Sequence, residues 1–152
     1  MLNLRLTQDS TVQELVARFN YLLHNRVRNS YSSWLNPCAS ARAAVVLSST
    51  NVKFVHNWME NNESEYELAT QLQTNSLNIT ANLNYWGDPA TVWGTTDYNV
   101  IYRVLSTQRI FDLDERFSLA KIVYWPMIRT PDLNSIYVTS EIPVYRCCQV
   151  LR

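Results

Sequence analysis

Between residues 11 and 28, apolar side chains recur at helical spacing. Val12, Leu15, Val16, Phe19, Leu22, Leu23 and Val27 follow an i, i+3, i+4, i+7 pattern, which predicts an amphipathic helix. Ser10 or Thr11 can cap its start, with Gln13 or Glu14 three residues on as the reciprocal partner. Arg26 and Arg28 suit its C-terminal end. Asn36-Pro37 then offers a cap and a first turn for a second helix through Ala39 to Leu47, although Val45-Val46-Leu47 can also pass into strand.

Residues 51–59 carry both periods, and the alternation of Val52, Phe54, His56 and Trp58 favours a strand. From residue 65 the period is two. Tyr66, Leu68, Thr70 and Leu72 alternate with polar neighbours, and Leu77, Ile79, Ala81, Leu83 and Tyr85 do so after Thr74-Asn75-Ser76. This predicts an antiparallel hairpin of 65–73 with 77–85, with Leu77, Ile79, Ala81 and Leu83 facing inward and the asparagines outward. Further strands are expected at about 98–106, 117–128 and 135–150, the last two interrupted by Pro126 and Pro143. Leu2, Leu4 and Leu6 alternate with polar residues, as in an edge strand or an arm laid on a neighbour. No internal repeat or linker is evident. The expected fold is therefore a single α+β domain over 1–152, an N-terminal helix or two packed on a mainly antiparallel sheet or sandwich.

Composition shifts attention from chemistry to assembly. Thirteen basic residues balance thirteen acidic ones, and charged residues make up 17% of the chain, so long-range attraction to nucleic acid and mutual repulsion between copies are both weak. Eleven of the basic residues are Arg, which suits interface ion pairs and stacking. Cys38, Cys147 and Cys148 form no regular framework and are expected to be reduced. No apolar run near Met1 is long enough for a signal peptide, and no segment is long enough to span a membrane. Asn62-Glu63-Ser64 and Asn78-Ile79-Thr80 match the glycosylation pattern and, without a secretion signal, read as chance matches.

The most distinctive stretch runs from Tyr85 to Tyr98. Trp86-Gly87 and Trp93-Gly94 contain both glycines of the chain, each directly after a Trp. A chain this poor in Gly places it where the backbone turns or something approaches closely. Tyr85, Trp86, Gly87, Trp93, Gly94 and Tyr98 are thus the candidate interface or ligand-binding residues, as anchors for a protein or as platforms for a sugar or a base. The competing expectation is a loop folded back onto the core.

Catalytic signatures are thin. His24 and His56 show no metal spacing, and with Gly only at 87 and 94 neither phosphate loops nor the Gly-x-Ser-x-Gly elbow can occur. Cys38 with a histidine, or dispersed carboxylates, would be needed for an enzyme. Asp112-Leu113-Asp114-Glu115 resembles half a calcium loop but lacks its Gly and distant Glu, and reads as a solvated turn. Arg26, Arg28 and Arg42, with Tyr31 and Trp34 nearby, read as a solvated helix end. No catalytic residue, metal or cofactor is expected.

Together these features point to a structural subunit that packs with other protein subunits, as a homo- or hetero-oligomer, without membrane or nucleic acid. Its most concrete form would be a tail, neck or decoration protein of a viral or phage particle, placed in the virion or host cytoplasm. The alternatives are a sugar- or single-strand-binding module built on the 85–98 aromatics, and an enzyme using dispersed carboxylates or Cys38.

Overall fold

The computed structural model of the chain describes residues 2–4, 14–26 and 42–141. Ten short strands follow in order: β1 Leu2–Leu4, β2 Leu15–Ala17, β3 Tyr21–Leu23, β4 Ala43–Leu47, β5 Val52–Phe54, β6 Trp58–Glu60, β7 Tyr66–Thr70, β8 Asn78–Thr80, β9 Ile110–Phe111 and β10 Lys121–Val123. One α-helix, α1, spans Tyr98–Val104, and π-helical turns occupy Pro89–Trp93 and Leu105–Arg109.

The strands do not pair with their neighbours in sequence. One sheet has the order β1-β4-β7-β9, a second β10-β8-β5-β2 and a third β3-β6, and every strand pairing in them is parallel. Successive strands therefore visit one sheet after another, and each circuit lies in register on the last. Leu15, Val16 and Ala17 sit against Val52, Lys53 and Phe54, and Tyr21, Leu22 and Leu23 against Trp58, Met59 and Glu60. Trp58 continues to Tyr85 through an isolated parallel bridge. This is a parallel β-helix, four coils of which are described.

The expected architecture is thus overturned: among the described residues there is no N-terminal helix, and the sheets are parallel. Residues 14–26 of the predicted first helix form β2 and β3. Their apolar spacing looks helical because the chain turns a corner at Phe19-Asn20, which shifts the two-residue alternation by one step. Ala43–Leu47 of the predicted second helix is β4, fully buried between β1 and β7; residues 36–41 lie outside the described ones. The predicted hairpin is absent. β7 pairs with β4 and β9, while β8 pairs with β5 and β10 in another sheet. Ile79 and Ala81 face the core as expected, whereas Leu77 is exposed and Asn84 is buried. Residues 98–104 are helix rather than strand, and of the strand expected at 135–150 the described part makes one antiparallel bridge, Ile128 to Val138.

The interior follows from β-alternation. Val52 and Phe54 point in while Lys53 points out to Glu14, 3.1 Å away. Val45, Leu47, Leu68, Ile79, Ile122 and Trp86 continue the same core from coil to coil, and Ile101 and Leu105 join it from the helical insertion. Outside the first sheet, Val46 and Ala69 pack with Phe111 and Leu119. The 137–139 segment runs antiparallel along 127–129, with Thr139 N–H donating to Met127 O (3.0 Å) and Arg129 N–H to Tyr137 O (2.9 Å).

An internal repeat exists after all, at the corners. Phe19-Asn20-Tyr21, His56-Asn57-Trp58 and Leu83-Asn84-Tyr85 are equivalent triplets. The first residue of each has a positive φ, 60°, 54° and 58° respectively. A left-handed conformation costs a non-glycine residue about 1–2 kcal/mol, and the asparagine that follows offsets it. Asn57 Nδ2–H donates to Ala17 O (2.9 Å) in the coil before, Val55 O (3.0 Å) in its own coil and Asn84 Oδ1 (3.1 Å) in the next. The aromatic residues that follow meet one another at an angle, Trp58 lying 5.9 Å from Tyr21 and 5.0 Å from Tyr85 between ring centres.

Candidate functional site

The six aromatic-loop residues divide among three jobs. Tyr85 is 4% exposed, meets Trp58 edge-on, and packs with Ile128 and Leu133. Burial, followed by the negative charges of Asp88 and Glu60, raises its hydroxyl above the ordinary value. Trp86 is fully buried in the core, and its indole N–H has no hydrogen-bond partner. Trp93 folds back to donate its indole N–H to Trp86 O (2.8 Å). The close approach that Gly87 permits comes from the chain itself: a Cβ there would lie 2.6 Å from Val92 Cγ2 and 3.2 Å from Glu60 Oε2. Gly94, at φ 67°, ends the Pro89–Trp93 turn by donating its N–H to Pro89 O.

Trp86 is therefore placed to carry stability. Trp86→Ala is expected to cost about 3–5 kcal/mol in denaturant unfolding. Trp86→Phe should cost far less, because it also removes the unpaired buried N–H.

Tyr98 has a different setting. It opens α1, and the Arg129 guanidinium lies 5.2 Å from its ring centre, a cation–π contact. Together with Trp125, Asp97 and Thr139 these residues line a polar cleft of about 340 Å³. Asp97 is occupied in capping the helix, accepting from Asn99 N–H at 2.9 Å. An adjoining, more apolar cleft of about 240 Å³ is lined by Tyr102, Ile122, Tyr124 and the other side of Trp125. Burial raises the Tyr124 hydroxyl above its ordinary value. This pair of clefts is the candidate small-ligand site. Sequence reasoning selected Tyr98 and missed Trp125 and Arg129, which lie about thirty residues further along the chain and reach it only through the fold.

The charged clusters serve the coil stack. Glu67 is 1% exposed. It accepts from Asn61 N–H (2.6 Å) and Nδ2–H (2.8 Å), and meets Arg109 at 3.3 Å. Burial raises its carboxyl above the ordinary carboxylate value despite Asn61 and Arg109. Arg109 also donates to Ser64 O, Glu65 O and Asn61 O. Asp112, read as part of a solvated turn, is buried instead and accepts from Ile122 N–H at 2.8 Å. Lys121 pairs with both Asp112 and Asp114.

Partial withdrawal from water pushes the carboxyl of the otherwise exposed Glu115 up to about 7 from an ordinary 4.5, assisted by the Asp112 and Asp114 charges and opposed by the Asp112 N–H it accepts. Its folded value lies above its unfolded one, so its stabilisation is complete below pH 4.5 and is lost as pH rises through about 7. Glu115→Gln should flatten that part of the melting-temperature profile; an unchanged profile would remove Glu115 as its cause.

His56 stands at a positive-φ corner with Nδ1 2.8 Å from Leu133 O, and His24 at another corner, rather than on a helix. Arg26 and Arg42 meet Glu63 (3.9 Å) and Glu65 (2.8 Å). Cys38, Cys147, Cys148, Arg28, Tyr31 and Trp34 lie outside the described residues. Among the described residues, no three His, Cys, Asp or Glu side chains are placed to share a metal, and no helix is long and apolar enough to cross a membrane.

No family model matches the chain, and no solved structure does. The chain is similar to "Protein bark beetle" of Drosophila melanogaster, with 37% identity over 94 residues. The match covers 62% of this chain and 3% of the Drosophila protein, so the chain spans a small part of that relative's length.

Proposed function

We propose that this chain is a structural module, a stretch of β-helix that presents fixed surfaces for association with other protein subunits. The observation that carries this reading lies on the closing segment. Ile136 and Tyr137 are 86% and 71% exposed. The bonds from Arg129 N–H to Tyr137 O and from Thr139 N–H to Met127 O fix the backbone path of this segment, so its main chain needs little further ordering on contact. Large apolar side chains held outward on a fixed backbone suit a protein contact. Neither the fold nor the Drosophila relative points to a virus particle, so the proposal stops at the module.

Sedimentation velocity over about a hundredfold range of concentration tests it. Association is expected, with itself or with a partner added in the same cell, and Ile136→Ser with Tyr137→Ser should weaken it at least about tenfold without lowering the melting temperature. A second reading, a sugar-binding module, is favoured by Arg129 over Tyr98 beside Trp125. Saturable binding on a glycan array that Arg129→Ala abolishes, from a chain that stays monomeric throughout, would replace the first reading with the second.

A further inference from the structure

The asparagine ladders have a direction. Asn20 N–H and Nδ2–H both donate to Asn57 Oδ1 (3.0 and 2.9 Å), and Asn57 N–H and Nδ2–H both donate to Asn84 Oδ1 (2.9 and 3.1 Å). At the next corner, Asn25 N–H and Nδ2–H both donate to Asn61 Oδ1 (2.9 Å each). In each step the earlier coil donates and the later coil accepts.

The two ends of the stack consequently differ. At the C-terminal end the ladder stops: Met127 stands where the next asparagine would fall, and its N–H donates to Thr139 Oγ1 (3.1 Å). The antiparallel 137–139 segment covers that edge. At the N-terminal end nothing equivalent is present among the described residues. Asn57 and Asn84 each also donate to a carbonyl of the preceding coil, Ala17 O and Phe54 O. Asn20 has no such bond to a preceding coil, and among the described residues no donor reaches Asn20 Oδ1 or Asn25 Oδ1. The apolar side chains repeat the contrast. Val52, Phe54 and Met59 are fully buried, while Leu15, Ala17 and Leu22, directly in register with them, are only partly buried.

We infer that the N-terminal face of the first coil, around Leu15, Ala17, Asn20, Leu22 and Asn25, seats a further parallel β-helix coil supplied by polypeptide outside these 152 residues. The occupant is specified by its chemistry. It carries amide donors, as an asparagine provides, above Asn20 and Asn25, and inward apolar residues above Leu15, Ala17 and Leu22. A second copy does not meet this description. Its C-terminal end is closed and offers Met127, and its N-terminal end would set acceptor against acceptor. In the Drosophila relative the matched stretch lies within a far longer chain, which is the setting in which such a coil is at hand. The inference deepens the reading of the chain as a structural module, yet it concerns the opposite end from Ile136 and Tyr137.

The test adds the coil. The chain is prepared as it stands and with a second copy of residues 43–65 joined ahead of Met1. A control carries Asn57→Ala and Asn61→Ala in the added copy only. Amide exchange is read at Val16 and Leu23, whose N–H groups alternate with those of Leu15 and His24 and so face away from the second coil. Ile79 and Ile122 serve as internal references. The added coil should slow exchange at Val16 and Leu23 at least about tenfold, and the control should give less than half of that slowing. No slowing overturns the inference. Equal slowing by both versions overturns the ladder as its basis, leaving apolar cover alone. Concentration-dependent slowing in the unextended chain assigns the face to a second copy instead. None of these outcomes depends on association through Ile136 and Tyr137, which the sedimentation experiment reads separately.

Discussion

Asn57→Ala should cost about 3–5 kcal/mol in urea unfolding, among the largest effects of any single substitution in this chain. The asparagine is fully buried and bonds to three coils. Alanine removes the acceptor for the N–H groups of Asn20 and the donor for Ala17 O, Val55 O and the buried Asn84 Oδ1. It also leaves His56 in its left-handed conformation without the interaction that offsets the strain. Asn20→Ala, at the exposed end of the same ladder, should cost less than about 1 kcal/mol. Equal losses at the two sites would mean that the ladder contributes nothing beyond ordinary local bonding.

Arg109→Ala is expected to be comparably damaging, at about 3–5 kcal/mol, because it leaves a buried carboxylate without its cation. The side chains of Glu67 and Arg109 are 2% and 15% exposed, and the guanidinium also holds three backbone carbonyls of the 61–65 corner. The variant should relieve the charge by binding a proton at Glu67, whose carboxyl burial already raises, so its stability should improve as pH falls. Replacing both partners, Glu67→Met with Arg109→Met, should recover part of the loss. A double-mutant cycle in denaturant measures the coupling, and additive losses would show that the pair acts as two independent residues.

Much of the local pattern was legible in the sequence, while the way it is assembled was not. The alternation at Val52–Phe54 and at Ile79–Ala81 marks real inward-facing residues, and the aromatic loop does fold partly onto the core. The fold class was missed because each strand is only a few residues long and every corner resets the alternation. At Phe19-Asn20 that reset imitates a helical period over 15–23. The repeat was hidden by unequal coil lengths, with Asn20 and Asn57 37 residues apart and Asn57 and Asn84 27 apart. The readable sign was an Asn followed by an aromatic residue, three times over, each time after a residue that is not glycine. In the candidate site, Tyr98 was visible as an aromatic residue near a glycine. Arg129 and Trp125 carried no local sign, since only the closing of the last coil brings them to it.

The corner between the third sheet and the first absorbs residues 61–65 in one coil and 86–109 in the next, yet the strands on either side keep their register. Chain length at that corner is thus decoupled from the body of the protein. The same property gives natural variation somewhere to act: new surface can be added at this corner without any change to the architecture that carries it.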